Sequence, residues 1–257
     1  MPVLSLRNVG LSYNGAPPVI ENLSLAIGPR DFVTVLGPSG SGKTSLLKLA
    51  AGFIRPTSGE VLVDFSPVIA PGADRAVVFQ DDALFPWLSA IENVAFALKL
   101  RGEPVHTRLP KAAKVLGRLG LAGFESRQVW ELSGGQRQRV GLARALISEP
   151  HFLLMDEPFG ALDALTRAQM HEVVLDLWNR LAPGVLFITH DVEEALLLGT
   201  RLIVLAARPG RVQREIPLDF GRRVAGGEAV RHVRSDPSFV SLREEVLDLV
   251  FQAEVAA

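Results

Sequence analysis

Cysteine is absent from this chain of 257 residues, so disulfides and thiolate metal sites are excluded and a reducing compartment is a natural setting. An excess of one charge is absent too. The 27 Lys and Arg against 28 Asp and Glu give no net basic bias of the kind usual in nucleic-acid binders. No apolar run approaches the roughly 20 residues that span a bilayer, and the opening MPVLSLRNVG has no cleavable signal pattern. Internal repeats and low-complexity linkers are missing, and tyrosine occurs once, at Tyr13. These absences lead us to expect a soluble chain that stays where it is made. What is present, 48% apolar residues, suffices for a large buried core.

Short β-type runs alternate with helical stretches, the pattern of an α/β sheet with helices on its faces. Between one such run, residues 32–36, and a helical pattern lies Gly37-Pro38-Ser39-Gly40-Ser41-Gly42-Lys43-Thr44, followed by Ser45. It fits G-x-x-x-x-G-K-[ST] in the strand–loop–helix context that this phosphate loop requires. Gly37, Gly40 and Gly42 let the backbone turn its N–H groups inward, onto the positive end of the following helix. Lys43 is placed to meet the outer phosphates and Thr44 to ligate Mg²⁺.

A second Gly-rich stretch, Leu132-Ser133-Gly134-Gly135-Gln136, would alone be an ordinary turn. Here it opens a helix. Val140, Ala143 and Leu146 with Ile147 share one face, and Ser133 is a natural N-cap, so the backbone of Gly134 and Gly135 forms a second anion site. The run Phe152-Leu153-Leu154-Met155-Asp156-Glu157 reads as a buried strand delivering two carboxylates at its C-terminal end. His190 follows a similar run, Val185-Leu186-Phe187-Ile188-Thr189, where a histidine by itself is a structural hydrogen-bonding group. Gln80, after Ala76-Val77-Val78-Phe79, is locally a strand cap, and Asp163, after Gly160-Ala161-Leu162, a helix N-cap.

Taken in order, these elements resemble the ATP-binding cassette family, the motor subunits of ABC transporters, from about residue 3 to about 250. The resemblance implies a P-loop NTPase α/β core with an antiparallel β subdomain and a helical subdomain, binding ATP and Mg²⁺. It also implies a head-to-tail homodimer, in which residues 132–136 of one subunit close over the γ-phosphate held by residues 37–44 of the other. Two phosphate sites for one nucleotide are then accounted for. In this family pattern Asp156 holds Mg²⁺ through water and Glu157 polarises the attacking water. His190 contacts the γ-phosphate and the catalytic glutamate, and Gln80 reaches the Mg²⁺ and the water. Asp163 lies in the loop through which the subunits sense each other. Tyr13, beside a predicted hairpin turn, stacks on the base, unless it is a strand aromatic packed on a sheet. Stacking discriminates poorly among bases, so the ATP preference is inherited from the family.

The tail resembles the nitrate, sulfonate and taurine importer ATPases through Gly210-Arg211-Val212, Ile216-Pro217-Leu218, Arg222-Arg223, Ser235-Asp236-Pro237-Ser238-Phe239 and Leu242-Arg243-Glu244. Gly72-Ala73-Asp74-Arg75, Phe85-Pro86-Trp87 and Trp130-Glu131 add to it. That group implies two transmembrane permease subunits, an extracytoplasmic substrate-binding protein, and a peripheral position on the cytoplasmic face of the cell membrane, without nucleic acid. Taurine transport stands first, aliphatic sulfonates next and nitrate third. One departure is Ser41, where many relatives have Cys; only its backbone need face phosphate. A soluble ABC protein of translation or DNA repair would call for a second cassette or a coiled-coil insertion, and neither is visible. A P-loop kinase would leave residues 132–136 unexplained.

One ABC ATPase domain, 1–257, is therefore expected, with a nucleotide-binding core at 1–81 and 148–206, a helical signature lobe at 82–147 and a short extension at 207–257. Residues 3–6, 23–27 and 32–36 read as an antiparallel β layer, and 90–100 and 109–119 as helices. The tail reads as a strand near 201–206, a turn at Pro209-Gly210, another strand and a helix from about 236, too short for a further domain of typical ~100–150 residues. Phe85, Pro86, Trp87 and Leu88 fall where importer ATPases of this type receive a helix of the membrane subunit, although Phe85 and Trp87 are locally as well explained as core.

Overall fold

A computed structural model describes residues 2–80 and 83–255. The lobe boundary expected between residues 81 and 82, and the end of the extension, fall outside the described residues. Two sheets form the framework. In the first, β1 (Leu4–Leu11) pairs antiparallel with β2 (Ile20–Ile27) and with β4 (Ser58–Val63), and β5 (Ser66–Pro67) closes the edge. β2 buries Ile20, Leu23, Leu25 and Ile27 and exposes residues between them, the alternation of a sheet with one wet face.

The second sheet has the order β10 (Val212–Pro217), β9 (Arg201–Leu205), β3 (Phe32–Leu36), β8 (Gly184–Ile188), β7 (Phe152–Asp156) and β6 (Arg75–Val78). All pairs are parallel except β10 with β9. Residues 32–36 therefore do not belong to the antiparallel layer, contrary to the sequence reading; β4 takes that place. The physical reason is visible in burial: all five residues of β3 are buried, as are those of β7 and β8. A strand apolar on both faces needs cover on both sides, which the centre of a parallel sheet provides.

Helix α1 (Lys43–Ala51) leaves the phosphate loop and packs into a core shared by the antiparallel sheet and one face of the second sheet. On the other face, α5 (Ala164–Leu181) shares a core with α2 (Ala90–Leu100), α3 (Val105–Arg118) and α4 (Gly134–Leu146). α2 occupies the expected residues. α3 begins before residue 109, because Pro104 is its N-cap and the Thr107 and Arg108 N–H groups donate to the Pro104 carbonyl; Pro110 is accommodated inside the helix. A third core joins α6 (Val192–Leu198) to the tail, where α7 (Phe220–Ala225) and α8 (Val230–Ser235) precede α9 (Pro237–Val255). The two short helices are additions to the tail as read from sequence. They are fixed by tertiary contacts, Phe220 against the Phe239 ring at 5.0 Å and Arg223 against Glu228 and Asp236 at 2.8 Å each.

The turn before β10 passes beside the phosphate loop. Gly210 N–H donates to the Val19 carbonyl at 2.8 Å, its own carbonyl accepts from Glu21 at 3.0 Å, and a side chain at this position would collide with the Ser41 carbonyl. Among the described residues no helix is long and apolar enough to cross a membrane.

Candidate active site

Three neighbouring parallel strands, β3, β8 and β7, end at one edge of the second sheet. Ile188 pairs with Val35 on one side and Asp156 on the other, so the residues just beyond each strand are brought together. This is where a parallel α/β sheet presents its chemistry.

After β3 the chain turns through the loop of residues 37–42. Gly40 and Gly42 take φ of 79° and 84°, values that favour glycine, and open space lies where a Gly40 side chain would be. Gly42 is the N-cap of α1 and contributes no side chain, which leaves the first N–H groups of the helix free of a side-chain cap. Pro38 is buried, whereas Ser39 and Gly40 are exposed. Ser41 is fully buried, and its hydroxyl has no hydrogen-bond partner among the described residues. Lys43 folds back across the loop, its Nζ donating to the carbonyls of Gly37 at 2.6 Å and Pro38 at 3.0 Å.

Asp156 ends β7 and is 6% exposed. Burial pushes its pKa up; the Thr44 hydroxyl, donating to it, pulls the other way, adjacent Glu157 raises it, and Lys43 and Lys48 lower it. A buried carboxylate so placed, bonded to the hydroxyl that follows the loop lysine, suits a divalent cation. The donor set and the Gly40 opening therefore fit a nucleotide phosphate with its metal ion.

Glu157 adopts φ of 44°, the left-handed region. Such a conformation in a residue other than glycine costs of order 1–3 kcal/mol, and it is held here by Glu157 N–H donating to the Ile188 carbonyl at 2.9 Å and by its carbonyl accepting from Gly160 at 3.2 Å. The turn aims its carboxylate at His190, where Nδ1 and Oε2 are 3.0 Å apart. His190 is exposed and Glu157 half-buried.

Residues 132–136 lie at the start of α4. Ser133 and Gln136 form a reciprocal capping box: the Gln136 N–H donates to Ser133 Oγ at 3.2 Å, and Ser133 N–H to Gln136 Oε1 at 2.8 Å. The neighbour of Gly135 is Leu162, whose side chain would lie 2.9 Å from a Gly135 Cβ. Leu162 precedes Asp163, which caps α5 by accepting from the Thr166 backbone at 3.0 Å and hydroxyl at 2.7 Å; those bonds hold its carboxyl below the usual range. The two loops thus touch within one chain.

Gln80 is exposed just beyond β6, and its carbonyl faces Gln138 Nε2 at 3.5 Å. Gln138, buried on α4, was not singled out in the sequence; its position two residues after Gln136 in a helix is the only signal it gives. Beyond Gln80, buried Asn93 shapes the chain: its Oδ1 accepts from Phe85 N at 2.8 Å, and its Nδ2 donates to the carbonyls of Phe85, Leu88 and Ser89 at 3.1 Å each. Phe85 is half-buried against Phe96, with Arg144 over its ring, but Trp87 is 72% exposed and is not core. Tyr13 is exposed on the turn after β1, its hydroxyl 3.2 Å from Ser45 Oγ.

Comparison with known proteins gives one consistent family. The ABC transporter family model matches residues 20–160. The Taurine import ATP-binding protein TauB of Pseudomonas syringae pv. tomato is 55% identical over 252 residues, 98% of this chain and 97% of that protein. The protein of the same name from Mesorhizobium japonicum is 52% identical over 257 residues, the full length of both. Among solved structures, a dimeric ATP-binding cassette in a post-hydrolysis state, bound to ADP and Pi, matches with a TM-score of 0.77 at 32% identity, over 84% of this chain and 98% of that one.

Proposed function

This chain belongs to the ABC transporter family, and from that premise we propose that it is the ATP-hydrolysing motor subunit of a taurine importer. The observation that carries the catalytic part is the Glu157–His190 contact of 3.0 Å, at the strand ends beside the phosphate loop. The substrate rests on the likeness to the taurine import proteins, since transport selectivity belongs to other subunits in such a system.

ATP lays its phosphates on the backbone N–H groups of the loop after Pro38 and of the start of α1, with the base against Tyr13. Lys43 exchanges the carbonyls of Gly37 and Pro38 for the outer phosphates, trading two neutral acceptors for charged ones. Thr44, Asp156 and Gln80 would hold Mg²⁺, which when bound neutralises charge on the phosphate oxygens. Glu157 orients the attacking water and takes its proton, and His190 steadies the Glu157 carboxylate and reaches the γ-phosphate. Ser133 and Gly135 of a second copy complete the site from the other side, so that two ATP molecules hold a closed homodimer.

Closure can do work only because ATP binds the closed dimer better than the open one. The lobe of residues 82–147 carries that motion to two permease subunits on the cytoplasmic face of the membrane, through the surface around Phe85 and Trp87. An extracytoplasmic binding protein delivers the substrate. The test is ATP hydrolysis by the chain reconstituted with its neighbouring permease and binding protein, with taurine, an alkanesulfonate and nitrate offered separately. Stimulation by taurine alone supports the whole reading. Stimulation by another of the three keeps the motor and replaces the substrate, whereas phosphorylation of an acceptor in place of free phosphate release overturns the motor.

A further inference from the structure

Behind the Glu157–His190 contact lies a second carboxylate–histidine pair. His171 on α5 and Glu194 on α6 are 3% and 5% exposed, and His171 Nε2 is 2.7 Å from Glu194 Oε1. The other ring nitrogen, Nδ1, is buried with no hydrogen-bond partner among the described residues. One strong bond thus fixes the ring, and among the described residues no other hydrogen bond offers it an alternative orientation.

The pair joins the two chain segments that carry Glu157 and His190. On one side, the His171 ring packs against Phe159 with centroids 5.5 Å apart, and Phe159 is two residues after Glu157 and also touches Phe187 of β8. On the other side, Glu194 lies in the first turn of α6, where its N–H donates to Asp191 Oδ1 at 3.1 Å; Asp191 follows His190 directly. Glu157, Phe159, His171, Glu194, Asp191 and His190 therefore form a closed circuit, with a buried hydrogen bond at one end and the exposed Glu157–His190 bond at the other. Moving α5 from α6 would break this buried bond and leave a carboxylate and a ring nitrogen unsatisfied, so the bond resists their separation.

We infer that His171 is a positioning residue for hydrolysis: through its bond to Glu194 it sets the distance between Glu157 and His190. The inference rests on the proposed roles of those two residues. Buried at 3% exposure, His171 offers no surface to nucleotide, so its effect is confined to the chemical step.

The experiment uses the full chain with Mg²⁺ and ATP, measuring nucleotide affinity and steady-state phosphate release. His171→Leu keeps the buried volume and removes the bond; kcat is expected to fall about 10- to 100-fold with nucleotide affinity unchanged. His171→Gln, whose amide can donate to the same carboxylate, is expected to recover most of that loss. In a His190→Ala background His171→Leu is expected to cost less than about twofold more, because the group it positions is gone. Unchanged kcat in His171→Leu, no recovery with Gln, or losses that multiply in the double variant would each overturn the inference. Should His171→Leu fail to fold, Glu194→Leu breaks the bond from α6 and must show the same split. Full activity in the Glu157→Gln and His190→Ala controls would instead remove the underlying catalytic assignment.

Discussion

Tyr13 and Ser45 are joined by a hydrogen bond of 3.2 Å between their hydroxyls. Ser45 is the third residue of α1, so the only tyrosine is tied to the helix that starts in the phosphate loop. The ring is oriented before any base arrives.

Tyr13→Phe removes the tether but keeps the π-face, and should weaken ATP binding by no more than about fivefold, the worth of one exposed hydrogen bond. Tyr13→Ala removes the face and should cost about 1–3 kcal/mol, or roughly 5- to 150-fold. GTP should lose a similar factor. Titration of both nucleotides checks this, and equal losses in the two variants would show that the tether, not the ring, matters.

Glu157→Gln keeps the shape of the turn and removes the proton acceptor. Phosphate release should drop by about 100-fold or more while ATP affinity persists, and ATP should hold the chain as a dimer on size exclusion. Normal turnover would remove Glu157 from the chemistry.

The Ser41 hydroxyl is buried without a partner among the described residues, a state that costs about 1–3 kcal/mol. A thiol of similar size tolerates that environment better. Ser41→Cys should raise the thermal midpoint of the nucleotide-free chain, by about 2–4 °C for each kcal/mol recovered. An unchanged or lower midpoint would mean that the hydroxyl is satisfied in solution.

Asp236 is held down to about 2 by hydrogen bonds from the Ser238 hydroxyl and backbone N–H, with Arg223 adding to them. A depressed carboxylate stabilises the fold above its ordinary value near 3.8, and that contribution is lost as the pH falls through about 2. Ser238→Ala should therefore be less stable than the parent chain at pH 7, and the gap should close between about pH 4 and pH 2. Urea midpoints along that range would reveal a gap independent of pH if Asp236 were not its source.

Much of the strand edge was legible because each element follows an apolar run: residues 37–44 after β3, Asp156 and Glu157 at β7, His190 after β8. Local order suffices for that. What was not legible depends on distant partners. Phe32–Leu36 looks like its neighbours in sequence, and only pairing with Val185–Ile188, some 150 residues on, places it in the parallel sheet. The helices of residues 220–225 and 230–235 are too short to show a period, and their stability comes from Phe239 and Asp236 beyond them. His171 has the same limitation. In sequence it is one polar residue on a helix, and its meaning appears only when α6 brings Glu194 to it.

Gly210 has a consequence for how small this machine can be made. Its backbone is bonded to both sides of Ile20 and sits against the carbonyl of Ser41, so the turn before the last strand serves as the floor of the phosphate loop. A fragment ending soon after His190 would contain every residue proposed to face nucleotide and still lack that floor. The working unit has to extend through the β9–β10 hairpin, and a fusion or cut placed inside that turn would disturb ATP from behind.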